Sequence, residues 1–135
     1  MRVAFGTDER TALTDDVVEA LLAGGHDVVL RVDGEPWPDV GRTVGEAVAA
    51  GDADRGIVCC WTGTGVSIAA NKVPGVRAAL CTDAETARGA RRWNDANVLA
   101  LGLRLTSPAV ARELLRAFLE TPADPGESAT IAGLA

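Results

Sequence analysis

The sequence predicts an α/β domain, a doubly wound (Rossmann-like) five-stranded parallel sheet with helices on both faces. Two observations carry this. The apolar runs at 57–60, 76–80 and 97–101 are continuous rather than alternating, as strands buried on both faces must be. Helix-period stretches separate them, which supplies the right-handed crossovers that parallel strands need. The chain has 135 residues, 47% hydrophobic and 24% charged, a length and balance suited to one domain with its own core.

In chain order, Arg2 to Phe5 reads as the first strand, ended by Gly6. Thr14 is positioned to cap a helix that carries Val17, Val18, Leu21 and Leu22 on one face and closes at Gly24-Gly25. Asp27 to Arg31 is the second strand. Val32 to Pro38, with a glycine and two prolines, reads as loop. Val40 to Ala50 is a helix stopped by Gly51, and Arg55 to Cys60 the third strand. The turn Trp61-Thr62-Gly63-Thr64-Gly65 leads into a short helix from Ser67 to Lys72, cut off by Pro74. Val76 to Cys81 is the fourth strand, Asp83 to Arg92 a helix, and Asn97 to Leu101 the fifth strand. Pro108 to Leu119 forms the last helix, with Ser107 as N-cap. The domain is expected over 1–120, with residues 121–135 as an extended C-terminal arm.

Composition excludes several classes of function. Thirteen Lys and Arg against nineteen Asp and Glu leave a net charge of −6, which opposes nucleic acid as a partner. No apolar run is long enough to span a bilayer, and the N-terminus turns polar too early for a signal peptide. Three cysteines, two of them adjacent, make no disulfide framework, so a reduced, cytoplasmic setting is expected. There is one histidine, His26, and no tyrosine, so chemistry built on paired histidines is excluded. No metal and no cofactor are expected.

In a doubly wound sheet, ligands bind beyond the carboxyl ends of the strands. Cys60 ends a strand there, before a glycine-rich turn that opens a helix. The free amides and dipole of a helix N-terminus favour a thiolate, and the amides of Gly63, Thr64 and Gly65 suit a developing oxyanion. A thiolate base beside such amides is the minimum kit for removing a proton next to a carbonyl. The same residues also suit a buried small apolar side chain and a tight turn. Cys59 is expected to face away from Cys60, since side chains alternate along a strand. Cys81 reads as core and His26 as a strand-edge residue remote from the site. For the Arg88, Arg91 and Arg92 cluster, a solvated face or dimer contact is the leading reading.

The run Thr62 to Lys72, the VPGVRAALCTD of Val73 to Asp83 and the NDANVLALG of Asn94 to Gly102 resemble the type B ribose-5-phosphate isomerase and galactose-6-phosphate isomerase family. The resemblance spans roughly positions 1–120. It implies aldose–ketose isomerisation through a cis-enediol, and a homodimer or dimer of dimers with active sites at the subunit interface. Cys60 then matches the proton-transfer base, and the turn from Thr62 through Gly63 and Thr64 to Gly65 the loop that stabilises the enediolate. Asp8 matches a residue that binds sugar hydroxyls, Asn94 a pocket asparagine and Arg104 a neighbouring arginine. Where the family pattern has Asp-His, this chain has Asp8-Glu9. Trp93 stands at a family histidine, Trp37 at a pocket tyrosine and Trp61 at a glycine.

The family's arm carries phosphate-binding arginines, whereas 121–135 here contains no Lys or Arg and places Glu127 about where one is expected. Each lost charge-assisted contact to a phosphate is worth ~1.5–3 kcal/mol. A less anionic or non-phosphorylated sugar is therefore the expected substrate, with Asp8 or Glu9 taking acid–base roles beside Cys60 and Thr62. The alternative is a non-catalytic ligand-binding member, or one subunit of a hetero-oligomer whose partner supplies the missing groups.

Overall fold

The computed structural model describes residues 1–134. Five strands, β1 (Arg2–Thr7), β2 (Asp27–Asp33), β3 (Arg55–Cys60), β4 (Ala78–Leu80) and β5 (Val98–Gly102), form one sheet in the order β2-β1-β3-β5-β4. Every pairing is parallel, as the continuous apolar runs require. Five longer helices connect or follow them: α1 (Ala12–Ala23), α2 (Trp37–Ala49), α3 (Thr64–Asn71), α4 (Ala84–Asn94) and α5 (Pro108–Glu120).

Alternation along the strands divides the core in two. Val3, Phe5, Ile57, Cys59, Leu99 and Leu101 point into a layer with α1, α4 and α5. Ala4, Val58, Cys60, Val98 and Ala100 point the other way, against Val40, Val44 and Val48 of α2 and Val66 and Ala70 of α3. The two vicinal cysteines thus face opposite layers, as the two-residue period dictates. The chain leaves β1 toward one layer and β3 toward the other. The crevice between their carboxyl ends is the topological switch point of this sheet.

Several boundaries differ from the sequence reading, each for a local reason. Thr11, not Thr14, is the N-cap of α1. Thr14 is the third helical residue, and its hydroxyl returns to the Thr11 amide to complete a capping box. The segment expected as loop through Pro38 starts α2 at Trp37, because a proline in the first turn forfeits no helical hydrogen bond. Helix α3 opens at Thr64 rather than Ser67, since Gly63 adopts φ +77° and turns the chain directly into it. β4 is only three residues long, with Arg77 engaged instead by Asp95 at 3.2 Å. The tail, expected as an extended arm, is wound into short turns at Pro125–Glu127, Ser128–Ile131 and Ala132–Leu134.

Arg91 is neither solvated nor a surface contact. It is buried, donates to the carbonyls of Ala96 and Thr121, and pairs with Asp95 at 2.8 Å. It therefore ties the end of α4 to the start of the tail. Asp95 is the one described non-glycine residue at positive φ, a conformation that short polar side chains tolerate best.

Helices α2 and α3 pack closely because Gly41 carries no side chain. A Cβ there would lie 2.8 Å from the Val66 carbonyl oxygen and 2.9 Å from the Ala70 nitrogen, both backbone atoms that have little room to yield. Gly41→Ala is expected to cost about 1–3 kcal/mol through overpacking, read as a lower urea midpoint with an unchanged slope.

The buried thiols make stability sensitive to alkali. Burial, with help from the Asp83 charge, pushes the Cys81 thiol up to about 11, and burial raises Cys59 as well. The unfolded chain therefore sheds these protons first as pH rises. Their contribution is complete below about pH 9 and declines as pH climbs toward 11. Cys81→Ala is expected to flatten that decline, checked by urea midpoints taken below pH 9 and near pH 11.

Candidate active site

Cys60 is the last residue of β3 and 5% exposed, its side chain in the buried cluster that includes Val66 in the first turn of α3. Its carbonyl accepts from the Leu103 amide at 2.9 Å, and that of Trp61 from the Arg104 amide at 2.9 Å. These bonds continue the β3–β5 ladder past the strand ends and fix the backbone of Cys60 and Trp61 at the carboxyl end of the sheet.

The turn that follows has almost no freedom. Gly63 sits in the left-handed region, and a Cβ on it would lie 2.9 Å from the Gly102 nitrogen. A Cβ on Gly102 would in turn lie 2.7 Å from the Thr62 carbonyl oxygen. The turn therefore rests directly on the end of β5. Gly63 offers no side chain to cap α3, so the amides of Thr64, Gly65 and Val66 have no helical acceptor. The Thr62 and Thr64 hydroxyls hydrogen-bond to each other at 2.7 Å above them. Trp37, the first residue of α2, lays its indole over Gly65, where a Cβ would meet the ring at 2.8 Å.

Across the crevice, the Asp8 amide donates to the Cys59 carbonyl at 3.3 Å, bringing the end of β1 against β3. Oδ1 of Asp8 is buried with no hydrogen-bond partner among the described residues. An orphaned carboxylate oxygen is costly unless a ligand or water completes it. Thr7 was not anticipated as part of the site. It is fully buried, and its hydroxyl donates to the Glu9 carbonyl at 2.7 Å, locking the Asp8-Glu9 bend. A threonine closing an apolar strand just before two acids is the signal that could have marked it. Glu9 itself is exposed on the rim, as are Trp61 and Arg104. Arg104 makes no ion pair among the described residues, whereas the nearby Arg10 is held by Asp15 at 3.0 Å.

One end of the sheet thus collects Asp8, Glu9, Trp37, Cys60, Trp61, Thr62, Gly63, Thr64, Gly65 and Arg104. Two expected members are not among them. Trp93 and Asn94 end α4, which runs from the carboxyl end of the sheet back to the amino end. Eleven residues of helix put them about 16 Å away along the helix axis. Trp93 folds its exposed ring back over Gly89. Asn94 lines a cleft of about 740 Å³ between the edge of β4 and Ile131, Ala132 and Leu134 of the tail. Within one chain, neither residue meets Cys60. No group of three or more potential metal ligands occurs among the described residues, and no helix is long and apolar enough to cross a membrane.

The same architecture recurs in known proteins. Type B ribose-5-phosphate isomerase of Clostridium thermocellum superposes with a TM-score of 0.89 at 40% identity, covering 98% of this chain and 93% of that one. The Trypanosoma cruzi type B enzyme gives 0.91 at 37% identity, over 99% of this chain and 95% of that one. In sequence, ribose-5-phosphate isomerase B of Escherichia coli is 37% identical over 87% of this chain and 83% of its own length. D-erythrulose-4-phosphate isomerase of Pectobacterium atrosepticum is 45% identical over 69% of this chain. The match spans 61% of that relative and 51% of a galactose-6-phosphate isomerase subunit from Clostridium acetobutylicum, so the chain spans half to two thirds of the length of several curated relatives. A model of the Ribose/Galactose Isomerase family matches residues 3–132, and with that breadth of agreement the chain belongs to this family.

Proposed function

We propose that the chain is an aldose–ketose isomerase of a sugar or sugar phosphate, with Cys60 as the proton-transfer base. The observation that carries this is the crevice itself. A strand-end thiol, the uncapped amides of α3 and an Asp8 oxygen that is buried without a partner among the described residues are gathered at the adjacent carboxyl ends of β1 and β3. The Cys60 thiolate takes the proton from C2 of the open-chain aldose. The C–H electron pair becomes the C1–C2 double bond, and the carbonyl pair moves onto O1. The amides of Thr64 and Gly65, with the Thr62 hydroxyl, stabilise that oxyanion, and Asp8 orients the sugar hydroxyls. The Cys60 thiol then returns the proton to C1, while O2 loses its proton and O1 gains one, giving the ketose through a cis-enediol. No cofactor is required for these steps.

The rim carries two carboxylates, Asp8 and Glu9, against the guanidinium of Arg104, which has no ion pair among the described residues. The relatives named above are isomerases of sugar phosphates by name, and a phosphate in this crevice rests on Arg104 without help from basic residues of the tail. The favoured substrate is accordingly less anionic at the protein surface than a doubly clamped phosphate. A free sugar is expected to bind nearly as well as its phosphate ester, and a clear preference for the ester in a binding titration overturns this part.

Trp93 and Asn94 reach a Cys60 crevice only if a second subunit presents them, which favours a dimer, or dimer of dimers, with shared sites. If that second subunit is a different polypeptide, the chain alone binds sugar without turning it over. Free cysteines suit the reducing cytoplasm. Proton NMR of tetroses, pentoses and hexoses in D₂O, with and without phosphate, tests the assignment. Exchange at the carbon next to the carbonyl is expected, with Cys60→Ser reducing it on the order of 10²–10⁴-fold. Exchange that persists at full rate in Cys60→Ser overturns the role of Cys60.

A further inference from the structure

Resting on the isomerase reading above, we infer that Thr7 is a positioning residue for the reaction. Its buried hydroxyl fixes the Asp8-Glu9 bend and so holds the Asp8 carboxylate where a sugar hydroxyl is bound, without touching the sugar itself. Thr7 closes β1 and is fully buried. Burying a hydroxyl costs free energy unless it is hydrogen-bonded, and valine would fill the same space in the strand without that cost. The partners of this hydroxyl therefore say what it does there.

The backbone of Thr7 belongs to the sheet. It pairs in register with Asp33 of β2 and Cys59 of β3, and its carbonyl accepts from the Gly34 amide at 3.0 Å. The side chain reaches forward, beyond the strand. Oγ1 donates to the Glu9 carbonyl at 2.7 Å and accepts from the Glu9 amide at 3.3 Å. Both backbone polar groups of Glu9 thus end on one oxygen, with Asp8 enclosed between. The Asp8 amide reaches the Cys59 carbonyl only at 3.3 Å. Hydrogen bonds weaken once N···O passes about 3.2 Å, so the short bond from the Thr7 hydroxyl is the main hold on the bend. A β-branched side chain has few χ1 choices, which keeps that hydroxyl aimed at Glu9.

Asp8 is the residue that depends on this hold. Its Oδ1 is buried without a partner among the described residues, so a ligand hydroxyl must meet it at the right distance and direction to complete it. Asp8 in turn sets where the sugar lies relative to Cys60, which ends the neighbouring strand. A displacement of about 1 Å in such a chain of contacts costs on the order of 10²-fold in rate. Because Thr7 has no exposed surface to offer a ligand, its effect on the reaction passes through Asp8 and vanishes when the Asp8 carboxylate is removed.

The test is a double-mutant cycle on the full chain. Its probe is the sugar of the tetrose-to-hexose panel that exchanges its carbon-bound proton fastest. Thr7→Val is expected to lower kcat/KM about 10–100-fold, the loss of a hydrogen bond to a charged group, with most of the change in KM. Thr7→Ser keeps the hydroxyl and is expected to stay within about threefold of the unaltered chain. In an Asp8→Asn background, Thr7→Val is expected to change kcat/KM by less than about twofold, since residues that act as a unit are not additive. An equal Thr7→Val loss in both backgrounds means that the hydroxyl acts through the fold at large, and overturns the inference. So does a Thr7→Val chain at full rate, or a Thr7→Ser chain as impaired as Thr7→Val. Thr7→Ala takes the place of Thr7→Val if the latter does not fold, and a chain that folds with neither overturns the inference too. All of these outcomes leave the isomerase reading intact. No exchange by the unaltered chain on any sugar of the panel overturns that reading, and this inference with it.

Discussion

The turn after β3 rests on the end of β5 with no side chain between them, and the arrangement of the site depends on that contact. Gly63 and Gly102 meet backbone to backbone. A methyl group on Gly63 would press on the backbone of β5, and one on Gly102 on the backbone of Thr62 in the turn. Because the sheet is buried on both faces, the turn inherits its rigidity. The amides at the start of α3 are consequently fixed relative to the thiol of Cys60 instead of wandering as loop amides do. Trp37 presses from the opposite side on Gly65, so the turn is held between a strand end and an indole.

Close approach is a theme of the whole α2–α3 layer. Small residues on the sheet face beneath it, among them Gly6 and Gly56, admit Val40 and Val44 of α2 to within what a Cβ would fill. The opposite layer is built differently, from Phe5, Phe118 and leucines of α5. The α2–α3 layer carries the candidate site because the close packing of helix on sheet brings α3 and Trp37 over the strand ends. The thick layer supplies most of the large buried side chains, and Arg91 extends it by anchoring the tail to α4.

The two ends of the sheet have different characters. The carboxyl end holds the thiol, together with an Asp8 oxygen and an Arg104 guanidinium that have no partner among the described residues. At the amino end lie His26, the arginine–aspartate ties of Arg77 and Arg91, and the cleft lined by Asn94 and the tail. Groups that would complete a sugar pocket are thus divided between ends that a single chain cannot bring together. Glu9, exposed at the carboxyl end, is one of the acidic residues behind the net charge of −6.

Strand positions, the parallel sheet and the opposite facing of Cys59 and Cys60 were legible in the residue order, because burial on both faces and a two-residue period write themselves into local composition. The position of Cys60 at a strand end and of the glycine turn after it was legible for the same reason, as an apolar run followed by residues that only a tight turn wants. Start and stop points were less so. Thr11 and Thr14 are interchangeable as sequence and distinct as a capping box, and Pro36 and Pro38 read as loop although one precedes and one enters α2. What only the tertiary structure decided is which residues share a space. Trp37 joins the turn, Trp93 and Asn94 do not, Thr7 locks the Asp8 bend, and Asp8 keeps an oxygen without a partner. Local propensity acts over a few neighbouring residues, whereas these relations depend on crossovers that carry the chain from one end of the sheet to the other.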